Sequence, residues 1–458
     1  MNTNRHTEQS GGPTRRQFLK QTATAAAALA GSGLLKPRLF GQAPSAGVTG
    51  ANNRIGVAII GLGKGIGMNH LEGILANAAA NNVAVVAACD LFSIRRDWAK
   101  QKAGLSDADV YADYRKLLER KDVDAVLIAT HDPWHARITI DALEAGKHVY
   151  CEKPMTRYLD EAFQVYDTVK RTGKVFQLGA QGCSAAAWHK AAEIIRNGDL
   201  GPVVWGQGFY NRNNPKGEWN YTIEKEASPE TIDWKMWLGP VPERPFNADT
   251  FFRWRKYYPF CAGLLGDLVP HRLLPLMLAT GNPQFPVRVV CIGITPVGTD
   301  KNTPGTPPRD VPEHVQLEAE FPNQFMLTVG ASTVNAKSPG FVIYGHKATL
   351  EIGNMGEKLK LIPEREFSDE IDPLDLPNLQ PSEDIRMHEK NWFDCIRSGK
   401  QPNGNIELAI RAQTVISLAE ISDRLKITCL FDEKTRKITT ADGKEIKPLT
   451  YGSIPGQS

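Results

Sequence analysis

Four glycines close an apolar run in RIGVAIIGLGKGIG, residues 54–67: Gly61, Gly63, Gly65 and Gly67. After a strand, Gly61 allows a tight turn, and Gly63 lets the backbone approach a pyrophosphate held at the N-terminus of the helix that follows. A second apolar run, VAVVAACD, ends at Asp90, whose carboxylate is placed to accept from a ribose 2′-hydroxyl. The usual G-x-G-x-x-G would put its third glycine at residue 66, where this chain has Ile66 between Gly65 and Gly67. Asp90 favours NAD, because a carboxylate repels a 2′-phosphate; Arg95 and Arg96 stand close behind and could accommodate one, which keeps NADP open. His131 and His135 share the four-residue spacing of two metal ligands on a helix, but no third ligand lies nearby, and no metal site is expected.

Strands and helices alternate around these residues. The strand 54–63 is followed by a helix from about Met68, the strand ending at Asp90 by a helix over residues 93–103. The short strand in DADVY precedes a helix over 114–120, and VDAVLIAT precedes ARITIDALEAG, which closes on Gly146 as a C-terminal cap; the strand HVYCEKP comes next. This order predicts an α/β fold whose parallel sheet has right-handed crossovers. Later strands, HVQLEAEFP, QFMLTVGAS, GFVIYGHKATLEIG and EKLKLIP, are separated by Gly, Pro and Asn turns and predict a mainly antiparallel open sheet. A long helix over residues 406–425 is expected to pack back on the body, and the acidic, proline-bearing residues 366–383 to form a loop. Between residues 205 and 260 lie fourteen aromatic side chains, against 8% aromatics overall, including five of the nine tryptophans. Such rings suit the apolar face of a pyranose, or else pack an insertion or a subunit interface. Tyr210, Asn211, Arg212, Trp254 and Tyr258 are the candidate substrate contacts in this stretch.

At the other end, TRRQFLKQTATAAAALAGSGLL (residues 14–35) sets Arg15 and Arg16 before an uncharged stretch of fifteen residues. That is shorter than the roughly 20 residues a membrane span needs. It resembles a twin-arginine export signal, with cleavage near residues 43–46 and no stable membrane anchor afterwards. Six of the 54 Lys and Arg and one of the 51 Asp and Glu lie in the first 45 residues, so the rest carries a formal charge of −2. Nothing in that balance points to nucleic acid or anionic lipid as a partner. Seven scattered cysteines without a C-x-x-C pair suggest neither a disulfide framework nor a zinc motif. The length predicts two domains, over 46–176 and 177–458, behind a signal and linker over 1–45.

GKHVYCEKP, with Glu152, Lys153 and Pro154, resembles the signature of the Gfo/Idh/MocA oxidoreductases, as do ATHDPWHARITIDALEAGKHV before it and VFQLGAQGCS after it. DWKMWLGPVPERPFN and GLLGDLVPHRLLP resemble the secreted bacterial branch of that family, and the likeness extends from about residue 54 to beyond 420. The resemblance implies a Rossmann domain followed by an α/β substrate domain that usually self-associates. It also implies hydride transfer between a nicotinamide and a sugar or cyclitol hydroxyl. It maps the catalytic group onto Lys153, Asp267 and His271, sets Glu152 and Lys153 against the cofactor, and makes His135 a lining residue beside the nicotinamide. The residue types suit that chemistry, because histidine can take the hydroxyl proton near neutral pH and lysine can stabilise charge on the oxygen. Asp267 and His271, four apart, would share one helical face. The chain departs from its relatives at Val269 and Pro270, where they commonly have glycine, at Leu274 for an aspartate, and at Cys183 for an arginine.

Free NAD is scarce outside the cytoplasm, and a route for folded cargo would let cofactor be bound before export. The expectation is a retained nicotinamide, reoxidised by a second substrate as in exported glucose-fructose oxidoreductases. The alternative within the family is a glycosidase that oxidises a sugar hydroxyl transiently, eliminates the aglycone and returns the hydride. A non-catalytic carbohydrate-binding protein is the third reading.

Overall fold

The computed structural model describes residues 53–452. The signal and linker assigned to residues 1–45 lie outside them.

Six parallel strands form the first sheet in the order β3-β2-β1-β4-β5-β6. They are β1 (Ile55–Ile60), β2 (Val83–Cys89), β3 (Val110–Tyr111), β4 (Ala125–Ile128), β5 (His148–Glu152) and β6 (Phe176–Gly179). Every residue of β1, β4 and β6 is buried, as expected for a sheet covered by helices on both faces. The crossover helices are Ile66–Ala76, Ser93–Ala103, Tyr114–Leu118, His135–Glu144 and Leu159–Thr172. The order reverses between β1 and β4, which opens a crevice at the carboxyl ends of the strands, where Gly61 and Asp90 lie.

The glycine turn works differently from the usual pattern. A Cβ on Gly61, at φ +92°, would sit 2.6 Å from the Ala129 carbonyl, and one on Gly67 would sit 2.3 Å from the Gly61 oxygen. The close helix–strand approach normally given to the third glycine therefore falls to Gly67, one residue late, and Ile66 begins the helix.

The second sheet has eleven strands, among them β12 (Ala348–Ile352), β15 (Cys429–Asp432), β16 (Lys437–Thr439) and β17 (Glu445–Ile446), in the order β14-β13-β12-β11-β7-β10-β9-β8-β15-β16-β17, antiparallel except where β7 (Val203–Asn211) runs parallel to β10 (Met326–Ser332). Its other central strands are β8 (Arg288–Ile294), β9 (His314–Glu320) and β11 (Phe341–Gly345). Within the acidic stretch expected to be a loop, Leu374–Leu376 forms β14 on Leu359–Pro363, β13.

The helix Ile406–Leu425 has the predicted bounds. Asn405 caps it by accepting from the Glu407 and Leu408 amides. Sixteen of its twenty residues are buried, so it is a core helix, packed on β8 and on helices Leu159–Thr172 and Pro270–Ala279. One buried apolar cluster joins it to both sheets, and the described residues form a single compact unit. All seven cysteines are buried thiols. Among the described residues no helix is long and apolar enough to cross a membrane.

Candidate active site

Lys153, the first residue beyond β5, meets Asp267 across 114 residues of sequence. Its Nζ donates to Asp267 Oδ1 at 2.6 Å and to the Asp267 carbonyl at 2.7 Å. Two further donors complete the carboxylate: Arg255 Nε to Oδ1 at 3.1 Å and Trp219 Nε1 to Oδ2 at 2.9 Å. Trp219 is 1% exposed and holds φ at +65°, a left-handed conformation that a bulky side chain adopts at a cost of about 1–3 kcal/mol. That strain is kept where it aims the indole at Asp267. Burial works against ionising Asp267, but the Lys153 ammonium and the Arg255 guanidinium outweigh it and hold the carboxyl far below its ordinary range. The group is a fixed anion between two fixed cations.

Asp267 and His271 do not share one continuous helix. Leu264–Asp267 ends at the aspartate, and a new helix, Pro270–Ala279, starts with Pro270, whose missing N–H suits a first turn. Leu268 and Val269 keep helical dihedrals at the junction, and the His271 amide bonds the Leu268 carbonyl at 3.2 Å. The proline that departs from the relatives thus marks the break. His271 stacks on Tyr210 of β7 at 5.5 Å between centroids, and its Nδ1 lies 3.8 Å from Glu383 Oε1. Burial and the Lys153 charge lower the His271 pKa, with Glu383 pulling the other way. The net direction favours a neutral imidazole, able to accept a proton.

The dinucleotide crevice is a cavity of about 750 Å³. Gly61, Gly63, Gly65, Asp90 and Arg95 line it. Asp90 also braces its own site: Oδ2 accepts from the Leu62 amide at 2.6 Å and Oδ1 from the Phe92 amide at 2.8 Å, tying the glycine turn to the end of β2. The opposite wall is formed by the aromatic-rich stretch, from Tyr221 and Glu224 through Trp237 and Phe251 to Trp254 and Arg255, which folds over the crevice. Arg255 stacks on Trp254 at 4.1 Å and bonds Asp267, which links the cavity wall to the Lys153–Asp267 pair. The close approaches at Gly61 and Gly67, and the buried Arg95 Nε and Glu224 Oε1 left without partners in the cavity wall, fit a polar ligand such as a dinucleotide.

Other assignments come out differently. His135 is 1% exposed and does not line the cavity; Nδ1 lies 2.7 Å from the Pro154 carbonyl and Nε2 3.2 Å from that of Thr130, so it braces the turn carrying Lys153. His131 lines the cavity instead, stacked on Trp237 at 4.2 Å, and burial pushes its pKa down to about 3. Glu152 is not in the cavity wall: Oε1 takes His70 Nε2 at 2.9 Å and Gln181 Nε2 at 3.0 Å. Gly67 is buried in its helix. Tyr258 offers its carbonyl to Arg157 and lies under Arg424 at 3.9 Å, an anchoring position. Arg212 lies over Tyr210 and pairs with Glu218 at 2.9 Å, beside Arg272, which also covers the Tyr210 ring. Tyr210 and Arg212 thus stand with His271, while Trp254 stands in the nucleotide cavity. Trp219, Arg255 and Glu383 were not anticipated; their partners are distant in sequence, and only the density of aromatics drew attention to the first.

Residues 55–180 match the oxidoreductase family's NAD-binding Rossmann fold, and residues 204–295 its C-terminal α/β domain. The chain is 30% identical over 184 residues to an inositol 2-dehydrogenase/D-chiro-inositol 3-dehydrogenase of Lactiplantibacillus plantarum, covering 40% of this chain and 51% of that one. It is 30% identical over 141 residues to an alpha-N-acetylgalactosaminidase of Shewanella oneidensis, covering 31% of this chain and 30% of the other. The matches thus span about half the length of these relatives or less. Among solved structures, levoglucosan dehydrogenase in complex with NADH and levoglucosan superposes with a TM-score of 0.62 at 19% identity, covering 82% of this chain and 98% of that one, which is a likeness of fold.

Proposed function

We propose, for a chain that belongs to the Gfo/Idh/MocA oxidoreductases, that it is an NAD(P)-dependent enzyme moving hydride between a retained nicotinamide and a hydroxyl or carbonyl of a sugar, glycoside or cyclitol. The observation that carries this is the meeting of Lys153, Asp267 and Arg255 behind the wall of the cavity that the glycine turn and Asp90 also line, with His271 close enough to feel the Lys153 and Asp267 charges.

A bound nicotinamide supplies hydride acceptance and donation; Gly61, Gly63, Gly65, Asp90 and Arg95 would hold the dinucleotide. The remaining work belongs to side chains. Asp267 points the Lys153 ammonium, which donates to the substrate oxygen and stabilises negative charge there. Neutral His271 takes the hydroxyl proton in oxidation and returns it in reduction. Tyr210, Arg212 and Trp254 are the proposed substrate contacts.

Residues 219–255 roof the cavity, so retained cofactor fits a protein exported folded by the twin-arginine route, which we propose for residues 14–35. The division into dinucleotide and substrate domains belongs to the same proposal, moved from residues 176/177 to beyond Gly179 because β6 (Phe176–Gly179) is the sixth strand of the parallel sheet, as does self-association. The roof and the likeness to the Shewanella glycosidase also support a redox-neutral variant, glycoside cleavage by transient oxidation. The test is to recover the protein from the extracytoplasmic fraction, measure its mass by light scattering, denature it and identify released nucleotide by mass spectrometry. Near-stoichiometric NAD(H) or NADP(H) in an oligomer is expected. A monomer ends the proposed self-association; absence of nucleotide, and of uptake on adding either one, ends the enzymatic reading.

A further inference from the structure

One carboxylate in the cavity has no place in proton transfer. Glu224 comes from the aromatic-rich stretch yet lines the cavity beside Gly63, Lys64 and Arg95, with its side chain only 12% exposed. Lys64 Nζ lies 3.3 Å from its Oε2, and Arg95 Nη2 lies 3.6 Å from its Oε1. Arg96 does not line the cavity and donates from Nη1 to the Asp90 carbonyl at 2.7 Å, which leaves Lys64 and Arg95 as the cations at the glycine turn and beyond the end of β2, where a 2′-phosphate would seek its counter-charge. Both already face Glu224.

The arrangement is held from both sides. Arg95 lies over the rings of Phe92 and Phe251 at 5.4 Å and of Phe252 at 5.7 Å. The covering stretch is fixed to the chain after β2: Phe92 and Ile232 form an antiparallel bridge, the Ser93 amide bonds the Thr231 carbonyl at 2.9 Å, and the Asp233 amide bonds that of Leu91 at 3.2 Å. Glu224 Oε1 and Arg95 Nε nevertheless remain buried without hydrogen-bond partners, an acceptor and a donor on two side chains that approach to 3.6 Å through Nη2.

We infer that Glu224 is a specificity-determining residue that makes this site select the dinucleotide lacking a 2′-phosphate. The inference rests on the dinucleotide reading above. A ribose 2′-hydroxyl both donates and accepts, so it suits an acceptor–donor pair. A 2′-phosphate offers mainly acceptors and about two negative charges, and would meet Glu224 and Asp90 together with cations that Glu224 has already neutralised. The choice that Asp90 and Arg95 leave open in the sequence is thus closed by a residue from the distant covering stretch.

The experiment equilibrates the purified protein with equal excesses of NAD and NADP, removes unbound nucleotide, denatures the protein and quantifies what was bound. The protein should hold NAD over NADP by at least about tenfold, and Glu224→Gln should move that ratio toward NADP by about tenfold or more. Adding Arg95→Met to Glu224→Gln should cancel the gain, since the freed guanidinium is its source. A Glu224→Gln ratio within about twofold of the parent, or a parent that prefers NADP, overturns the inference and leaves the dinucleotide reading standing. Binding of neither nucleotide overturns both.

Discussion

Asp267 accepts from three side chains of different origin: Lys153 after β5, Trp219 from the covering stretch and Arg255 from its far end. Removing the lysine leaves Arg255 and Trp219 to hold the carboxylate but takes away the cation proposed to face the substrate oxygen. Lys153→Met should therefore lower kcat by about 10²–10³ while nucleotide retention stays within a few-fold, read by turnover and by released nucleotide on one preparation. Equal loss of both would move Lys153 from chemistry to folding. The proton acceptor gives a second readout. Because His271 is depressed by burial and by Lys153, its neutral form persists below an ordinary histidine's pKa of about 6.5, so kcat/KM for oxidation should fall only at more acid pH. An acid limb above about 7 would exclude His271 as that base. Lys153 and Asp267 were legible through motifs, but Arg255 and Trp219 were not. Spacing reports neighbours along a helix or strand, whereas these reach the carboxylate from an irregular segment, one of them through a left-handed backbone.

At the scale of elements, the parallel sheet was readable because its buried strands end in a glycine, an acid or a turn. The brace behind it was hidden. His70, on the helix after the glycine turn, bonds Glu152 at the end of β5 at 2.9 Å and Glu389 of helix Ile385–Ser398 at 2.6 Å, all three buried. Burial alone would lower the His70 pKa, but the two carboxylates raise it to about 9. The folded value lies above the unfolded one of about 6.5, so this contribution to stability is complete below pH 6.5 and fades as pH rises through 9. Denaturant midpoints should fall across that window by the equivalent of at most about 3 kcal/mol. His70→Leu should cost about 3–5 kcal/mol at pH 6, because it takes the shared cation from buried Glu152 and leaves Glu389 with Arg386 alone, and should flatten the pH dependence. A profile of unchanged slope in the variant would show that another group titrates. No sequence pattern joins residues 70, 152 and 389; the fold alone makes them neighbours.

Across the whole molecule, the stretch with the densest aromatics covers a cavity whose floor comes from the parallel-sheet half of the chain. Its aromatic richness was legible, and an insertion core was one of the two readings kept open. Ile232, Trp237, Phe251, Phe252 and Phe260 do form a buried cluster, but Phe92, two residues beyond Asp90, is part of it. On the proposed reading, cofactor exchange requires this cluster to part. Ile232 is 1% exposed, pairs with Phe92 and does not line the cavity, so it tests the cover without touching the ligand. Ile232→Ala removes about 2 kcal/mol or more of packing from the closed form. If opening precedes release, the open population and the exchange rate both rise about 30-fold. Exchange of bound for isotopically labelled nucleotide, followed by mass spectrometry, measures that rate. An unchanged rate in a folded variant would mean that the cofactor leaves by another route, and the roof would then serve the substrate side instead.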